Sequence, residues 1–183
     1  MIVNREQSVL LIIDVQERLA PAIHNIDPIL AKARLLIRAA SRLGVPIGFT
    51  EQYSSGLGAT VSSLRNLVPT APIISKVHFQ ATLEPDLDAW ISECGATQVV
   101  VAGTEAHVCV LQTTFGLLGM GYVPFLVADA VGSRRECDLD LAVERLRSGG
   151  CRIVSTEMVV FEWLKEAATE EFRELLALIK DEN

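Results

Sequence analysis

The chain opens on an uninterrupted apolar block, Val9 to Ile13, that stops at Asp14. Such a run suits a parallel strand buried on both faces, because a half-exposed strand alternates apolar and polar positions. The period then changes. Ile29, Leu30, Ala33, Leu36, Ile37 and Ala40 recur at helical spacing, with Asp27 as the N-cap, Pro28 as the first helical residue and Gly44 as the stop. Pro46 to Thr50 predicts a second strand, Ile73 to Ser75 a short third and the valine-rich Gln98 to Ala102 a fourth. A helix from Pro85 to Cys94, ended by Gly95, separates the last two. Beyond them Ala106 to Met120 reads as a helix stopped by Gly121, and Val123 to Ala128 as a strand. Leu139 to Leu146 reads as a helix closed by Gly149 and Gly150, and Arg152 to Val154 as a last short strand before two helical pieces. The longest polar stretch is a loop around Ser54 to Thr60.

Strands alternating with helices require crossover connections, which are right-handed almost without exception. The expected fold is therefore α/β: a three-layer α/β/α arrangement with a mainly parallel sheet. Ligands of such sheets bind beyond the carboxyl ends of the strands, where the strand order reverses. That rule selects Asp14, Thr50 and Glu51, Lys76, the segment Gly103 to Cys109, and Asp129.

Composition narrows the function classes. At 183 residues and 50% hydrophobic, the chain has enough apolar material for one core, so residues 1–183 are expected to form a single domain. A net charge of -7, with scattered Lys and Arg, argues against binding nucleic acid or a membrane surface, either of which needs clustered cations. The first apolar run is far shorter than the ~20 residues that span a bilayer, and no small-residue cleavage site follows it. Three His and four Cys without a CxxC pair suggest neither zinc nor a disulfide framework, which fits a cytoplasmic protein with reduced thiols. Phe161, Trp163, Leu164, Phe172, Leu175, Leu176 and Ile179 give the last helices more apolar surface than one small domain readily covers, and predict a homo-oligomer.

Three strand-end residues carry chemistry. Asp14 leaves an apolar strand, a suitable setting for a general acid or base, although aspartates there also cap helices. Cys109 lies where VVVAGTEAHVC passes from a buried strand through a glycine turn into a helix, whose first amides favour a thiolate and lower the thiol pKa. Cys94, Cys137 and Cys151 have no acid or base arranged near them and read as packed thiols. Lys76 leaves the third strand at the same rim, where its charge stabilises the carboxylate and tips the balance toward a thiolate against the opposing charge of Asp14.

With LLIIDVQERL, TEQY at Thr50 to Tyr53, SKVHF, VVVAGTEAHVCVLQT and VADAVGSR in this order, the chain resembles the isochorismatase-like cysteine hydrolases, and in TEQY the isochorismatase domain-containing proteins. The resemblance implies that family's Rossmann-type topology and a catalytic trio of Asp14, Lys76 and Cys109. It also implies a non-proline cis peptide at Thr104–Glu105 and an oxyanion hole built from the Glu105 and Cys109 amides. The nicotinamidases of that family carry metal ligands after the second strand. Here the segment is EQYSSGLGATV, without His or Asp, so no metal and no cofactor are expected, and Gln52, Tyr53 and Leu57, with Phe79 opposite, are expected to bind substrate. His24, His78 and His107 read as structural. The implied activity is hydrolysis of a small-molecule amide through a thioester; vinyl-ether hydrolysis and a non-catalytic redox-sensing thiol are the alternatives.

Overall fold

The computed structural model describes residues 1–181 and builds outward from β1 (Ser8–Ile13), every residue of which is buried. After it come α1 (Ile26–Leu43), β2 (Ile47–Gln52), the short α2 (Ser54–Leu57) and α3 (Ser62–Arg65), and β3 (Ile73–Lys76). Then follow α4 (Pro85–Glu93), β4 (Gln98–Thr104), α5 (Leu111–Gly119), β5 (Val123–Gly132) and α6 (Glu136–Ser148). The described chain ends with β6 (Arg152–Val154), α7 (Thr156–Leu164) and α8 (Glu170–Asp181). Residues 182–183, the end of the expected domain, lie outside the described residues.

The six strands form one sheet in the order β3-β2-β1-β4-β5-β6, and each neighbouring pair is parallel. The chain runs from β1 outward to β3, then returns to the other side of β1. The order therefore reverses between β1 and β4, which is where a crevice opens at the carboxyl ends. Alternate residues of β1 serve opposite layers. Leu10 and Ile12 pack in the core that holds Leu36 and Ala40 of α1 and Trp163 of α7, whereas Val9, Leu11 and Ile13 pack with Leu87 and Ile91 of α4, Leu117 of α5 and Leu146 of α6. At about 1.5–3 kcal/mol per fully buried large apolar side chain, this double burial fixes the central strand and hence the position of Asp14 at its end.

Several boundaries differ from the sequence expectation. The first helix begins at Ile26 behind a left-handed Asn25, so Asp27 lies inside the first turn instead of capping it, where its charge still complements the helix dipole. Strands β2, β3, β4 and β5 run one to four residues past their apolar blocks, because parallel pairing continues through polar residues at the carboxyl ends. The loop around Ser54 to Thr60 contains the single turn α2. The expected helix Ala106 to Met120 is split into a π-helical turn, Ala106–Val110, and α5. The apolar C-terminal helices also differ from the expectation that they form an uncovered surface: Trp163, Leu164, Leu175 and Ile179 are buried within the chain, and the Trp163 indole donates to Ser8 Oγ at 3.0 Å. Among the described residues, no helix is long and apolar enough to cross a membrane.

Candidate active site

Asp14 follows β1 directly and has φ 49, a left-handed conformation that aspartate tolerates better than most residues. Its backbone is held on both sides: its N–H donates to the Thr50 carbonyl at 3.2 Å, and its carbonyl accepts from Gln16 N at 2.9 Å and from Thr104 Oγ1 at 2.8 Å. The close approach of β4 here depends on Gly103. Its φ is 118, and a Cβ would lie 2.1 Å from the Ile13 carbonyl oxygen, a separation no side chain permits.

The Asp14 carboxylate is fully buried. Thr50 Oγ1 donates to Oδ1 at 2.6 Å, and Lys76 Nζ lies 2.7 Å from Oδ2, both ion-pair side chains having no exposed surface. The Lys76 contact is an ion pair by distance without hydrogen-bond alignment, so Oδ2 has no aligned donor among the described residues. Lys76 donates instead to Gln52 Oε1 at 2.6 Å and to the His78 carbonyl at 3.3 Å. Gln52 is itself fixed. Its Nε2 donates to the Val77 carbonyl at 2.8 Å, and buried Gln16 grips its backbone, accepting from Gln52 N at 2.8 Å and donating to Gln52 O at 3.0 Å.

Cys109 sits in the π-helical turn, where the Glu105 carbonyl accepts from Val108 N at 3.0 Å and Val110 N at 3.2 Å, the amides on either side of Cys109. Turns of this kind recur at functional sites because they re-aim one residue's side chain and amide. The Thr104–Glu105 peptide just before it is cis, as the resemblance implied. The thiol lies 4.0 Å from Gln52 Oε1. Burial, and then the Asp14 carboxylate, push its pKa up to about 12, with Lys76 opposing. This corrects the expectation of an acidic Cys109: the stabilisation expected from a helix start is outweighed by desolvation and by a nearby anion. The resting group is a thiol. Cys151 is also raised, to about 11, by burial, while Cys137 is exposed.

A cavity of about 390 Å³ opens over these groups. Its polar lining is Asp14, Gln52, Glu105, Cys109 and Arg134, and its apolar lining is Leu19, Ala22, Leu57, Phe79 and Val108. Of the residues expected to bind substrate, Gln52, Leu57 and Phe79 line this cavity. Tyr53 does not; it is 61% exposed and borders a separate hollow of about 300 Å³ with Ser54, Val77 and Glu84. Its left-handed backbone, φ 41, turns the chain away after β2. Lys76 is absent from the lining of the cavity and borders the hollow that holds Tyr53.

The strand-end rule also selected residues that serve elsewhere. Glu51 is buried and accepts from Thr60 N and Oγ1 at 2.7 and 2.8 Å, which anchors the segment after β2. Asp129 accepts from Thr156 N and Oγ1 at 2.7 and 3.0 Å, at the start of α7. His24 and His78 are exposed, and His107 pairs with Ser133 Oγ at 2.9 Å. Among the described residues, no group of three His, Cys, Asp or Glu side chains is arranged to hold a metal. Of the residues that build the site, the strand-end rule selects Thr50 and the segment holding Thr104 but neither Gln16 nor Arg134; the partners of Thr50 and Arg134 are 36 and 29 residues away in the chain.

The family model of the isochorismatase domain matches residues 8–158. The chain is 36% identical over 174 residues to isochorismatase domain-containing protein 1 of Danio rerio, covering 94% of this chain and 61% of that protein's length, so it spans less than two thirds of that relative. Among solved structures it is similar to the MAR1 ribonuclease of Caenorhabditis elegans, with 34% identity, a TM-score of 0.91, and coverage of 98% of this chain and 93% of that one. It shares its fold with the YcaC gene product of Escherichia coli, described as an octameric hydrolase of unknown specificity. That likeness has a TM-score of 0.87 at 22% identity and covers 100% of this chain and 93% of that one.

Proposed function

Since the chain belongs to the isochorismatase family of hydrolases, with that domain accounting for residues 8–158, we propose that it is a cysteine hydrolase acting on a small-molecule amide through a thioester. The observation that carries this reading is the buried Asp14 Oδ2. It is charge-paired with Lys76 at 2.7 Å, has no aligned donor among the described residues, and borders the same cavity as the Cys109 thiol. An oxygen in that state is an acceptor for one proton.

In this reading Asp14 takes the thiol proton as Cys109 Sγ attacks the carbonyl carbon, and Lys76 stays a fixed cation beside the carboxylate. Collapse of the tetrahedral adduct breaks the C–N bond, and Asp14 returns the proton to the leaving amine. Water then attacks the thioester, Asp14 accepts its proton, the C–S bond breaks, and the proton returns to sulfur as the acid departs. The Glu105 and Cys109 amides are proposed as oxyanion donors, each contributing about 3 kcal/mol. A thiol held at about 12 suits this scheme, because its ionisation is then coupled to a base and to substrate.

The cavity size and net charge of -7 support a small substrate over a nucleic acid. Self-association also belongs to the proposal. Tyr53, Ile73, Val77, Phe79 and Leu83 expose apolar surface around edge strand β3, and the YcaC protein is octameric. Free thiols at all four cysteines fit a reducing compartment such as the cytosol.

The test is turnover of a panel of small primary amides. Asp14→Asn and Cys109→Ala are each expected to lower kcat by about 10²–10⁴. Hydrolysis of an amide that persists in Cys109→Ala would overturn the thioester route.

A further inference from the structure

Arg134 is a cation in the wall of the catalytic cavity that the scheme above does not use. It is held from one side only. Its Nε donates to Glu105 Oε2 at 2.8 Å, and among the described residues this is its sole hydrogen bond. Glu105 is the anchored partner, with 11% of its side chain exposed against 59% for Arg134. Asp138 acts on Arg134 only at longer range. A guanidinium is planar and its five N–H groups lie in fixed directions, so pinning Nε fixes the plane and leaves the Nη edge available.

The neighbouring residue is pinned as well. Ser133 is buried and its Oγ pairs with His107 Nδ1 at 2.9 Å, so residues 133 and 134 are tied at two points to the turn 105–107 that precedes the nucleophile. An arginine on a segment fixed in this way is preorganised, and binding to it carries little further ordering cost. The other cation of the site, Lys76, already has Asp14 as its partner. Resting on the hydrolase reading above, we infer that Arg134 anchors a carboxylate on the substrate, which is then a short acyl amide with an anionic group at the end opposite the scissile bond. The apolar residues that share the lining, Leu57, Phe79 and Val108 among them, suit a short hydrocarbon chain joining the two groups. A carboxylate meets the Nη edge in bidentate fashion, which a single neutral carbonyl oxygen does not.

The test needs no turnover. Cys109 is alkylated with iodoacetamide while succinamate or glutaramate is titrated in, and again with the isosteric neutral diamides succinamide and glutaramide. Because Arg134 is more than half exposed, the expected preference is moderate: half-protection at about tenfold lower concentration for the acids. Arg134→Gln, which keeps a donor for Glu105, should bring the acids and diamides within about twofold of each other, and Arg134→Lys should give an intermediate preference because it keeps the charge without the fork. Equal protection by acid and diamide, no protection by either, or a preference unchanged in Arg134→Gln overturns the anchor. Turnover of the same compounds separates the two readings. Protection with the stated preference but no hydrolysis supports the anchor and removes the hydrolase reading; equal hydrolysis of acids and diamides retains the hydrolase and overturns the anchor.

Discussion

Replacing Lys76 with Met removes one half of an ion pair whose side chains are both fully buried, 2.7 Å apart. The Asp14 carboxylate then keeps one side-chain partner, Thr50 Oγ1 at 2.6 Å, and Gln52 Oε1 loses the ammonium that donates to it at 2.6 Å. Breaking a buried pair leaves an uncompensated charge and costs about 3–5 kcal/mol, whereas an exposed pair is worth about 0–1 kcal/mol. Zero exposure puts this pair in the first class. The same reasoning says that the cost comes from the stranded charge, so removing it must recover stability: Asp14→Asn/Lys76→Met should regain about 2 kcal/mol over Lys76→Met, a non-additivity expected of contacting groups. Urea unfolding followed through the fluorescence of Trp90 and buried Trp163 measures both variants, the midpoint reporting stability while the slope stays constant. A loss below about 1 kcal/mol for Lys76→Met, or a double variant as unstable as the sum of the single ones, refutes the reasoning.

Four further outcomes follow. The raised Cys109 pKa means that the thiolate is scarce at neutral pH and grows about tenfold per pH unit toward about 12, so exposed Cys137 should be alkylated by iodoacetamide before Cys109 at pH 7. Asp14→Asn removes an anion that holds the proton on sulfur, and should speed Cys109 alkylation while abolishing turnover; slower alkylation contradicts the assignment of Asp14. Exhaustive chelation is expected to leave hydrolysis unchanged, and activity lost to EDTA and restored by one metal contradicts the site as described. Sedimentation at micromolar concentration should show a homo-oligomer, a Tyr53→Ser/Val77→Ser variant should shift it toward monomer, and a monomeric wild-type chain removes the proposal of self-association.

The sheet was legible because its signal is local: an unbroken apolar run such as Val9 to Ile13 has one economical place in an alternating α/β chain. The strand-end rule selected Asp14, Lys76 and Cys109 without any pairing information, and the structure brings the three side chains together. What failed were judgements that depend on tertiary surroundings. A helix start and Lys76 predicted an acidic thiol in spite of Asp14, but burial, the largest effect, joins Asp14 and reverses the sign. Tyr53 is next in sequence to Gln52, yet its left-handed backbone sends it to another hollow. The apolar C-terminal helices spoke for an uncovered surface, whereas they pack back on α1 and cover it within the chain. Arg134 and Gln16 act through partners across the fold, and no spacing along the chain announces them.

The central claim is that Cys109 forms a covalent acyl intermediate. Rapid acid quenching during turnover of a small amide, followed by mass spectrometry of the Cys109 peptide, tests it most directly. The account predicts an acyl group on Cys109 alone among the four cysteines, removable by hydroxylamine and missing in Asp14→Asn. Steady turnover with Cys109 unmodified at every time point, together with an active Cys109→Ala variant, contradicts it.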